Sequence, residues 1–386
     1  MTRAEQTLPC AGRSTACLAS QEKSGKSKDM SAPFKSFAPL AAALAMALGA
    51  PAPAQTGGSA APVSSVGAAT EAGFTAYLQG LRPKARAQGV SDTTFDRAIA
   101  GLTFNPRVAA LDRANQPTAA DAPIPDFEPY RQRHVDADRI TRGRTVYQAN
   151  RRLLSGIERD TGVPEEIMVA IFGHETNYGR ITGDFDLLRS LATLAYEGRR
   201  RALFEPELIA VMVMMQRGVP RERLLGSYAG AFGYPQFLPS VYLRDARDAD
   251  GDGVANIWSS QPDALASIAN YFVRAGWRKG EPWGFAVRLP ATFDRAAVAN
   301  RLRASRCARV MERHSRWLTM REWRALGIVP TQGSWPDDRV MATLIEPDGP
   351  GKTAYLLTGN YRAILDYNCS NFYGLSVGLL ADEVRR

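Results

Sequence analysis

The chain has 386 residues, 45% of them hydrophobic and 23% charged, and a formal net charge of +9. This length is sufficient for one large domain or two ordinary domains with a substantial core. The composition is that of a soluble globular protein, and the positive charge favours an anionic polymer or a membrane surface as the partner.

A leader is predicted over residues 1–54. The apolar run at residues 37–49 follows Lys35 and is too short to span a bilayer as a helix. The small residues around Ala54 resemble the cleavage site of a secretory signal peptide. We therefore expect export and cleavage near Ala54.

The residues before and after the apolar run indicate where translation starts and where the globular region begins. Residues 1–29 make a poor n-region, so we interpret Met30 as the actual start. Gly, Ala, Ser and Pro dominate residues 55–70, which predicts a flexible linker. One globular region at residues 71–386 follows the linker.

Export limits the location and the partners. Loss of residues 1–54 leaves a charge of about +6, because that segment holds six Lys or Arg residues and three acidic residues. We expect a soluble periplasmic protein without a transmembrane segment, for which nucleic acid is a poor candidate partner.

Only Cys307 and Cys369 remain after cleavage, either as a disulfide or as two separate buried thiols. No cysteine comes directly after the apolar run, where a lipid would be attached, so no lipid anchor is predicted.

Helical periodicity recurs along most of the globular region. A loose segment rich in Pro, Ala and Asp at residues 116–129 interrupts it and is predicted to cross the surface. The predicted helices begin near Phe74 and Val90 and then occupy residues 140–157, 187–196, 203–216 and 371–383.

The helix that begins at Pro164 is the most informative. Pro164 suits the first helical position, and acidic residues follow it in the first turn. Ile167, Ile171 and Glu175 share one face, which places Glu175 at the end of a buried stripe. Burial disfavours the charged carboxylate and raises its pKa toward neutrality, which suits proton donation. A glutamate that pairs with an arginine at a helix end is the alternative.

A segment rich in Gly and Pro occupies residues 226–240. Its glycines and prolines allow the backbone to approach a ligand closely, while Ser227, Tyr234 and Gln236 are able to stack on or hydrogen-bond a sugar. A simple turn between helices explains the segment about as well.

An acidic loop at residues 248–259 has the spacing of an EF-hand loop, with oxygen ligands at alternate positions and Gly at position 6. Position 12 carries a serine in place of the usual bidentate glutamate, so the alternatives are weak Ca²⁺ binding and a metal-free turn. The predicted ligands are Asp248, Asp250, Asp252, the carbonyl of Val254, Asn256 and Ser259.

Other catalytic motifs are excluded. His174 precedes Glu175, but the residue four positions after His174 is Tyr178, so the helix lacks the second histidine of a zinc protease. The sequence has neither a Gly-x-Ser-x-Gly elbow nor a phosphate-binding loop.

The character of the sequence changes between residues 285 and 361. Runs typical of β-strands at residues 340–345 and 354–357 flank a Pro- and Gly-rich turn at 347–351. This pattern predicts a hairpin within a small β-containing subdomain.

Taken in order, the motifs of this chain resemble those of the lytic murein transglycosylase B family. The resemblance extends from about Phe74 to the C-terminus. The motifs are Glu175-Thr176, Gly233-Tyr234-Pro235-Gln236, the acidic loop, Ala269-Asn270-Tyr271-Phe272 with Gly276-Trp277, and Tyr367-Asn368-Cys369-Ser370.

The resemblance implies an α+β, mainly α-helical fold. Its parts are a lysozyme-like catalytic core with a deep cleft, a small β-sheet subdomain at about 285–361 and an EF-hand-like loop. Residues 71–386 then form the catalytic lytic transglycosylase domain. The chain departs from the family pattern at Ser259, where an acid is usual, and in lacking the lipidated cysteine of membrane-bound members.

The resemblance also implies the roles of individual residues. Glu175 matches the single catalytic acid/base. Arg199 and Arg200 match a basic pair near peptide-bearing muramoyl groups. Substrate-binding positions are expected at Ser227, Gln236, Tyr271, Tyr367 and Asn368, with Tyr234 from the Gly- and Pro-rich segment.

The expected reaction is non-hydrolytic cleavage of the MurNAc–GlcNAc β-1,4 bond of peptidoglycan to give 1,6-anhydroMurNAc ends. Hydrolytic glycosidases usually need two carboxylates, and no second acid is evident in the sequence. The alternatives are a water-using muramidase and a non-catalytic peptidoglycan-binding scaffold. We expect no cofactor for the chemistry and a weak structural Ca²⁺. Expected partners are glycan strands and cell-wall synthesis or division proteins, with the enzyme a monomer.

Overall fold

A computed structural model describes residues 71–115 and 123–386. The predicted leader, the start at Met30, the cleavage near Ala54 and the linker at 55–70 lie outside the described residues. Within the described part, no helix has the length and apolar character needed to cross a bilayer.

Helices dominate the described residues and are numbered in chain order. They are α1 Glu71–Gly80, α2 Arg82–Ala87, α3 Asp92–Ile99, α4 Pro106–Ala114, α5 Glu128–His134, α6 Ala137–Ala149, α7 Arg151–Thr161, α8 Glu165–Thr176, α9 Leu187–Glu197, α10 Arg201–Gln216, α11 Pro239–Asp245, α12 Gln261–Arg274, α13 Ala308–Met311, α14 Met320–Ala325, α15 Gly359–Tyr367 and α16 Asn371–Arg385.

The strands form two antiparallel sheets. The strands are β1 Phe185–Asp186, β2 Leu225–Gly226, β3 Gly284–Arg288, β4 Leu318–Thr319, β5 Val329–Pro330, β6 Met341–Ile345 and β7 Ala354–Leu357. A short two-stranded sheet pairs Asp186 with Leu225, and a five-stranded sheet has the order β4-β6-β7-β3-β5.

The hairpin prediction is confirmed, because β6 pairs with β7 in antiparallel register, with Leu344 opposite Leu356. The α+β, mainly helical class is also confirmed. All five strands of the larger sheet lie between residues 284 and 357. They enclose a separate cluster of buried side chains around Trp323, which is fully buried and donates its indole N–H to the carbonyl of Ala342.

Two predicted segments differ from the structure. The helix expected at residues 140–157 is divided at Asn150, whose side-chain amide bonds to the carbonyl of Val146 and so ends α6. The segment predicted to cross the surface up to residue 129 instead buries Phe127 and begins α5 at Glu128. The Asp348 carboxylate accepts the amides of Phe127 and Glu128, which fixes this entry.

The two cysteines of the globular region form a disulfide, Cys307–Cys369, across 62 residues. It joins the start of α13 to the connection between α15 and α16. Most other helices belong to two apolar clusters, one built on α8, α12 and α16 and the other on the N-terminal helices with α9 and α10. Tyr367 packs against both clusters.

Candidate active site

Helix α8 carries Glu175 at its C-terminal end. Pro164 precedes the first helical residue, so the prediction that it occupies that position is wrong by one residue. The prediction of a single buried stripe is also wrong. Every residue from 165 to 173 is buried, because α6, α7, α12 and α16 all pack on α8. Asn177 ends the helix in a left-handed conformation with φ 53°.

Glu175 is partly buried and keeps partial solvent access. The Tyr373 hydroxyl donates a hydrogen bond to its Oε1 at 2.6 Å. Burial raises the pKa of Glu175 to about 7, and the Tyr373 hydrogen bond opposes that shift. Among the described residues no second carboxyl contributes to the shift, and no arginine pairs with Glu175. A substantial fraction therefore carries the proton at neutral pH.

The groups next to Glu175 are neutral. Burial, reinforced by the negative charge of Glu175, raises the pKa of Tyr130 to about 12 and the pKa values of Tyr367 and Tyr373 well above their usual range. Burial also lowers the pKa of His174 well below its usual value, so this ring carries no positive charge. Its plane lies nearly parallel to that of His134 at 5.9 Å. Among the described residues no cation lowers the raised pKa of Glu175.

We expect Tyr373→Phe to move the alkaline limb of the pH–rate profile to higher pH. The lost hydrogen bond stabilised the Glu175 carboxylate, so its removal raises the pKa of Glu175 further. Steady-state rates against pH measure the shift. Tyr242→Phe is the matched control, because its hydroxyl bonds to the carbonyl of Ala255. An unchanged alkaline limb in Tyr373→Phe contradicts this role of the hydroxyl.

Thr176 joins the end of α8 to the Gly- and Pro-rich segment. Its hydroxyl lies 3.2 Å from the carbonyl of Tyr234, to which it donates, and it accepts the Gly179 amide at 3.0 Å. The Tyr234 ring packs on Phe172 with centroids 5.0 Å apart, and its amide donates to the carbonyl of Ile257. Tyr234 is therefore held beside the helix that carries Glu175.

Ser227 and Gln236 shape the same segment. The Ser227 hydroxyl oxygen accepts the Ala231 amide at 3.0 Å, which closes a tight turn. Gln236 has a positive φ of 51°, and its Nε2 donates to the carbonyls of Thr182 and Gly233. Its Oε1 is buried without a hydrogen-bond partner among the described residues. An unsatisfied buried acceptor costs roughly 1–3 kcal/mol, which a ligand hydroxyl is able to relieve.

Tyr271, Tyr367 and Asn368 come from two further parts of the chain. The Tyr271 and Tyr367 rings meet at a centroid distance of 4.7 Å. Tyr271 donates its hydroxyl to the carbonyl of Asp366, and Tyr367 donates to the carbonyl of Pro235. Asn368 Oδ1 is a second buried acceptor that lacks a partner in the described part of the chain.

These contacts connect Glu175, Tyr234, Gln236, Tyr271, Tyr367 and Tyr373 into one group, which we call the Glu175 site. Ser227 belongs to it as part of the Gly- and Pro-rich segment, and Asn368 as the chain neighbour of Tyr367. The site combines the end of α8, the Gly- and Pro-rich segment, α12 and the ends of α15 and α16. Its members are Glu175, Ser227, Tyr234, Gln236, Tyr271, Tyr367, Asn368 and Tyr373.

Arg199 and Arg200 are placed differently. Both guanidinium groups bind the carboxylate of Asp112 on α4, which is only 1% exposed. Among the described hydrogen bonds and ion pairs, neither arginine contacts a member of the Glu175 site. Their role in binding peptide-bearing muramoyl groups stays a prediction.

The acidic loop brings three carboxylates together. Asp248, Asp250 and Asp252 are exposed, and each offers an oxygen atom within 4.8 Å of the others. Such a set of hard oxygen donors suits a divalent cation. Asn256 and Ser259 instead bond to each other, with Asn256 Nδ2 donating to Ser259 Oγ at 2.9 Å. The backbone amide of Val254 donates to Asp252, and the EF-hand arrangement stays a prediction.

Two important residues were not predicted from the sequence. Tyr373 bonds to Glu175 across 198 residues, and no local sequence pattern indicates this contact. Asp263 is fully buried on α12 and accepts the amides of Ala249 and Asn256, so it shapes the acidic loop from within. Its signal was an acid three residues after Ser260, which caps α12.

Comparison with known proteins identifies the family. Residues 73–382 match the family described as the transglycosylase SLT domain. The chain is 31% identical to the membrane-bound lytic murein transglycosylase B of Escherichia coli K12. That alignment of 258 residues covers 66% of this chain and 66% of the relative, so about a third of the relative lies outside it.

Solved structures share the fold. SltB3 from Pseudomonas aeruginosa, in complex with NAG-anhNAM-pentapeptide, is 37% identical with a TM-score of 0.71, covering 81% of this chain and 79% of SltB3. The Escherichia coli lytic transglycosylase Slt35, in complex with calcium, is 27% identical with a TM-score of 0.65, covering 81% and 92% of the respective chains. The fold is thus the lysozyme-like fold of these enzymes, and the chain belongs to the SLT-domain family of lytic murein transglycosylases.

Proposed function

We propose that this chain is a peptidoglycan lytic transglycosylase that cleaves the MurNAc–GlcNAc β-1,4 bond and leaves 1,6-anhydroMurNAc ends. The observation that carries the proposal is Glu175, whose pKa burial raises to about 7, with no second carboxyl among the described residues contributing to that shift. Membership of the SLT-domain family supports the reaction class. The complex of SltB3 with NAG-anhNAM-pentapeptide supports the product.

The reaction divides into two proton transfers by the same residue. Protonated Glu175 donates its proton to the glycosidic oxygen, the C1–O bond breaks, and GlcNAc leaves as an alcohol. The N-acetyl group of MurNAc stabilises the positive charge at C1. Glu175, now a carboxylate, removes the proton from the C6 hydroxyl, whose oxygen bonds to C1. The proton count balances, Glu175 is regenerated and no water is consumed.

The surroundings of Glu175 suit this cycle better than hydrolysis. A hydrolase commonly places a second carboxylate roughly 5–9.5 Å from the acid, as a nucleophile or as the base that activates water. The tyrosines on which the charge of Glu175 acts stay neutral, and among the described residues no second carboxyl contributes to the pKa of Glu175. A pKa near 7 also balances donation in the first step against acceptance in the second.

Sugar binding is assigned to the rest of the Glu175 site. The unpartnered acceptors of Gln236 and Asn368 suit sugar hydroxyl or amide N–H groups, and the rings of Tyr234, Tyr271 and Tyr367 suit stacking on pyranose faces. Arg199 and Arg200 are assigned to the peptide-bearing side of the substrate. We assign no cofactor to the chemistry.

Mass spectrometry of products released from purified peptidoglycan tests the proposal. The expected products carry 1,6-anhydroMurNAc ends, which are lighter than reducing ends by one water. Reducing ends in their place indicate a muramidase and overturn the proposal. A peptidoglycan zymogram tests the scaffold alternative, which predicts retention on the polymer without a cleared zone.

Calcium is proposed as a structural ion of the acidic loop, as the calcium complex of Slt35 suggests. Asp248, Asp250 and Asp252 would hold it. The loop precedes α12, which carries Tyr271, and its Ile257 carbonyl accepts the amide of Tyr234. An ion bound to the loop would fix the positions of Tyr234 and Tyr271 relative to each other.

We expect millimolar Ca²⁺ to raise the melting temperature by several degrees. With a Kd of roughly 10⁻⁴–10⁻³ M, a ten- to hundredfold excess of Ca²⁺ adds about 1.4–2.7 kcal/mol. Asp250→Ala should abolish the response, whereas Asp337→Ala, an exposed aspartate paired with Arg339, should retain it. A melting temperature insensitive to Ca²⁺ and chelator shows that the loop is a metal-free turn.

The proposed cleavage of peptidoglycan also determines the cellular location that we assign to this chain. A peptidoglycan-cleaving enzyme acts at the cell wall, and we assign this chain to the periplasm as a soluble monomer. Detection of the processed protein in a periplasmic fraction, with its N-terminus near residue 55, supports the assignment.

A further inference from the structure

The segment at residues 300–309, which we call the arginine loop, concentrates positive charge on the surface. It contains four arginines and no acidic residue. Arg301 and Arg303 are exposed, and within the described part of the chain neither has a hydrogen-bond or ion-pair partner. Leu302 between them is 82% exposed, the highest value among the large exposed hydrophobic residues described. The tip thus presents two uncompensated cations around an apolar side chain.

Local hydrogen bonds give this tip a defined shape. Asn300 Oδ1 accepts the amide of Leu302 at 2.9 Å, and Asn300 Nδ2 donates to the carbonyl of Met311. Ala299 forms an antiparallel bridge with Ser315. The arginine pair is therefore presented by a turn anchored on both sides, which reduces the entropy lost when a ligand binds.

The C-terminal part of the arginine loop is joined to the Glu175 site by a disulfide and an ion pair. The Cys307–Cys369 disulfide ends next to Asn368, and Arg306 pairs with Asp366 at 3.0 Å. The carbonyl of the same Asp366 accepts the Tyr271 hydroxyl. The loop consequently adjoins the segment that carries Tyr367 and Asn368.

We propose that Arg301 and Arg303 bind the carboxylates of a peptide stem on the glycan strand held in the Glu175 site, while Leu302 packs on an apolar stem side chain. This inference rests on the proposed function. The sugars of a glycan strand are neutral once the lactyl group of MurNAc is amidated, so its negative charges lie on the stems. A guanidinium group matches a carboxylate in a bidentate geometry.

Binding to two soluble substrates tests the proposal. One is glycan strands that keep their stems, and the other is the same strands stripped of stems by an amidase. Both are titrated against the full-length chain carrying Glu175→Gln, so that no bond is cut. Adding Arg301→Gln and Arg303→Gln should raise the Kd for stem-bearing strands about threefold to tenfold, as expected for two exposed charge pairs. Amidase cleavage leaves a free lactyl carboxylate on each MurNAc, so the stripped strands stay anionic. Their Kd should nevertheless not change, because the proposed contact is with the stem.

A matched double variant controls for the general loss of charge. Arg97→Gln with Arg288→Gln removes two exposed arginines, one on α3 and one on β3, and should leave both Kd values unchanged. Equal weakening by the two double variants, or equal weakening on both substrates, overturns the proposal as a general charge effect.

The remaining outcomes separate this inference from its alternatives. If the arginine-loop variant loses sedimentation with phosphatidylglycerol vesicles and keeps its Kd for stem-bearing strands, the loop binds an anionic membrane and the proposal is overturned. The titrations measure binding without turnover. Reducing-end products from the unmodified chain therefore refute the proposed reaction while leaving the stem contact measurable.

Discussion

Glu175→Gln should lower the rate of peptidoglycan cleavage by about 10³-fold or more, in line with the contribution of a positioned general acid. The amide has nearly the same shape as the carboxyl group and accepts the Tyr373 hydrogen bond, but it delivers no proton to the glycosidic oxygen. It also removes no proton from the C6 hydroxyl. Turnover of purified peptidoglycan, quantified from released fragments, measures the loss.

Glu222→Gln is the control for this experiment, because Glu222 is an exposed glutamate of the 3₁₀ turn Arg221–Arg223. The circular dichroism spectrum of both variants should match that of the unmodified chain. Appreciable turnover by folded Glu175→Gln would show that another residue is the acid.

The same substitution should stabilise the fold at alkaline pH. The pKa of Glu175 is about 7 in the folded chain and 4.5 as a reference value, so the folded state binds the proton more tightly. This advantage is fully present below pH 4.5 and is lost as the pH rises through 7. A shift of this size corresponds to about 3 kcal/mol. Gln carries no charge at any pH and avoids the loss.

Urea unfolding at a series of pH values measures this effect. The free energy of unfolding of Glu175→Gln, relative to the unmodified chain, should increase from pH 4.5 to 7 and then level off. Burial also raises the pKa of Asp382 to about 6, and its contribution cancels because both chains retain it. Parallel stability curves across this range contradict the raised pKa of Glu175.

The fold was predictable where local sequence decides the structure. The turn chemistry at residues 347–351 predicted the β6–β7 hairpin, and α3 begins at Asp92, close to Val90 as the sequence indicated. The interruption at Asn150 and the burial of Phe127 were missed, because a distant side chain or a single capping bond decides them. The order of the five-stranded sheet depends on contacts between strands that are distant in sequence. For example, β3 pairs with β7, which lies about 70 residues later in the chain.

The candidate site was predictable through its motifs and not through its contacts. Glu175, Gln236 and Tyr367 were named from the sequence, and the structure brings them together through Thr176, Tyr234 and Pro235. Tyr373 carries no local signal of its hydrogen bond to Glu175. Nor does the helical pattern of α8 distinguish one buried face from burial on all sides, because that depends on how many helices pack around it.

Cleavage of purified peptidoglycan in heavy-oxygen water tests the central claim most directly, that Glu175 acts alone and water is not a reactant. We expect fragments with 1,6-anhydro ends that contain no heavy oxygen and that are absent from digests with Glu175→Gln. Fragments whose new reducing ends carry heavy oxygen would contradict this claim, because water would then have attacked C1.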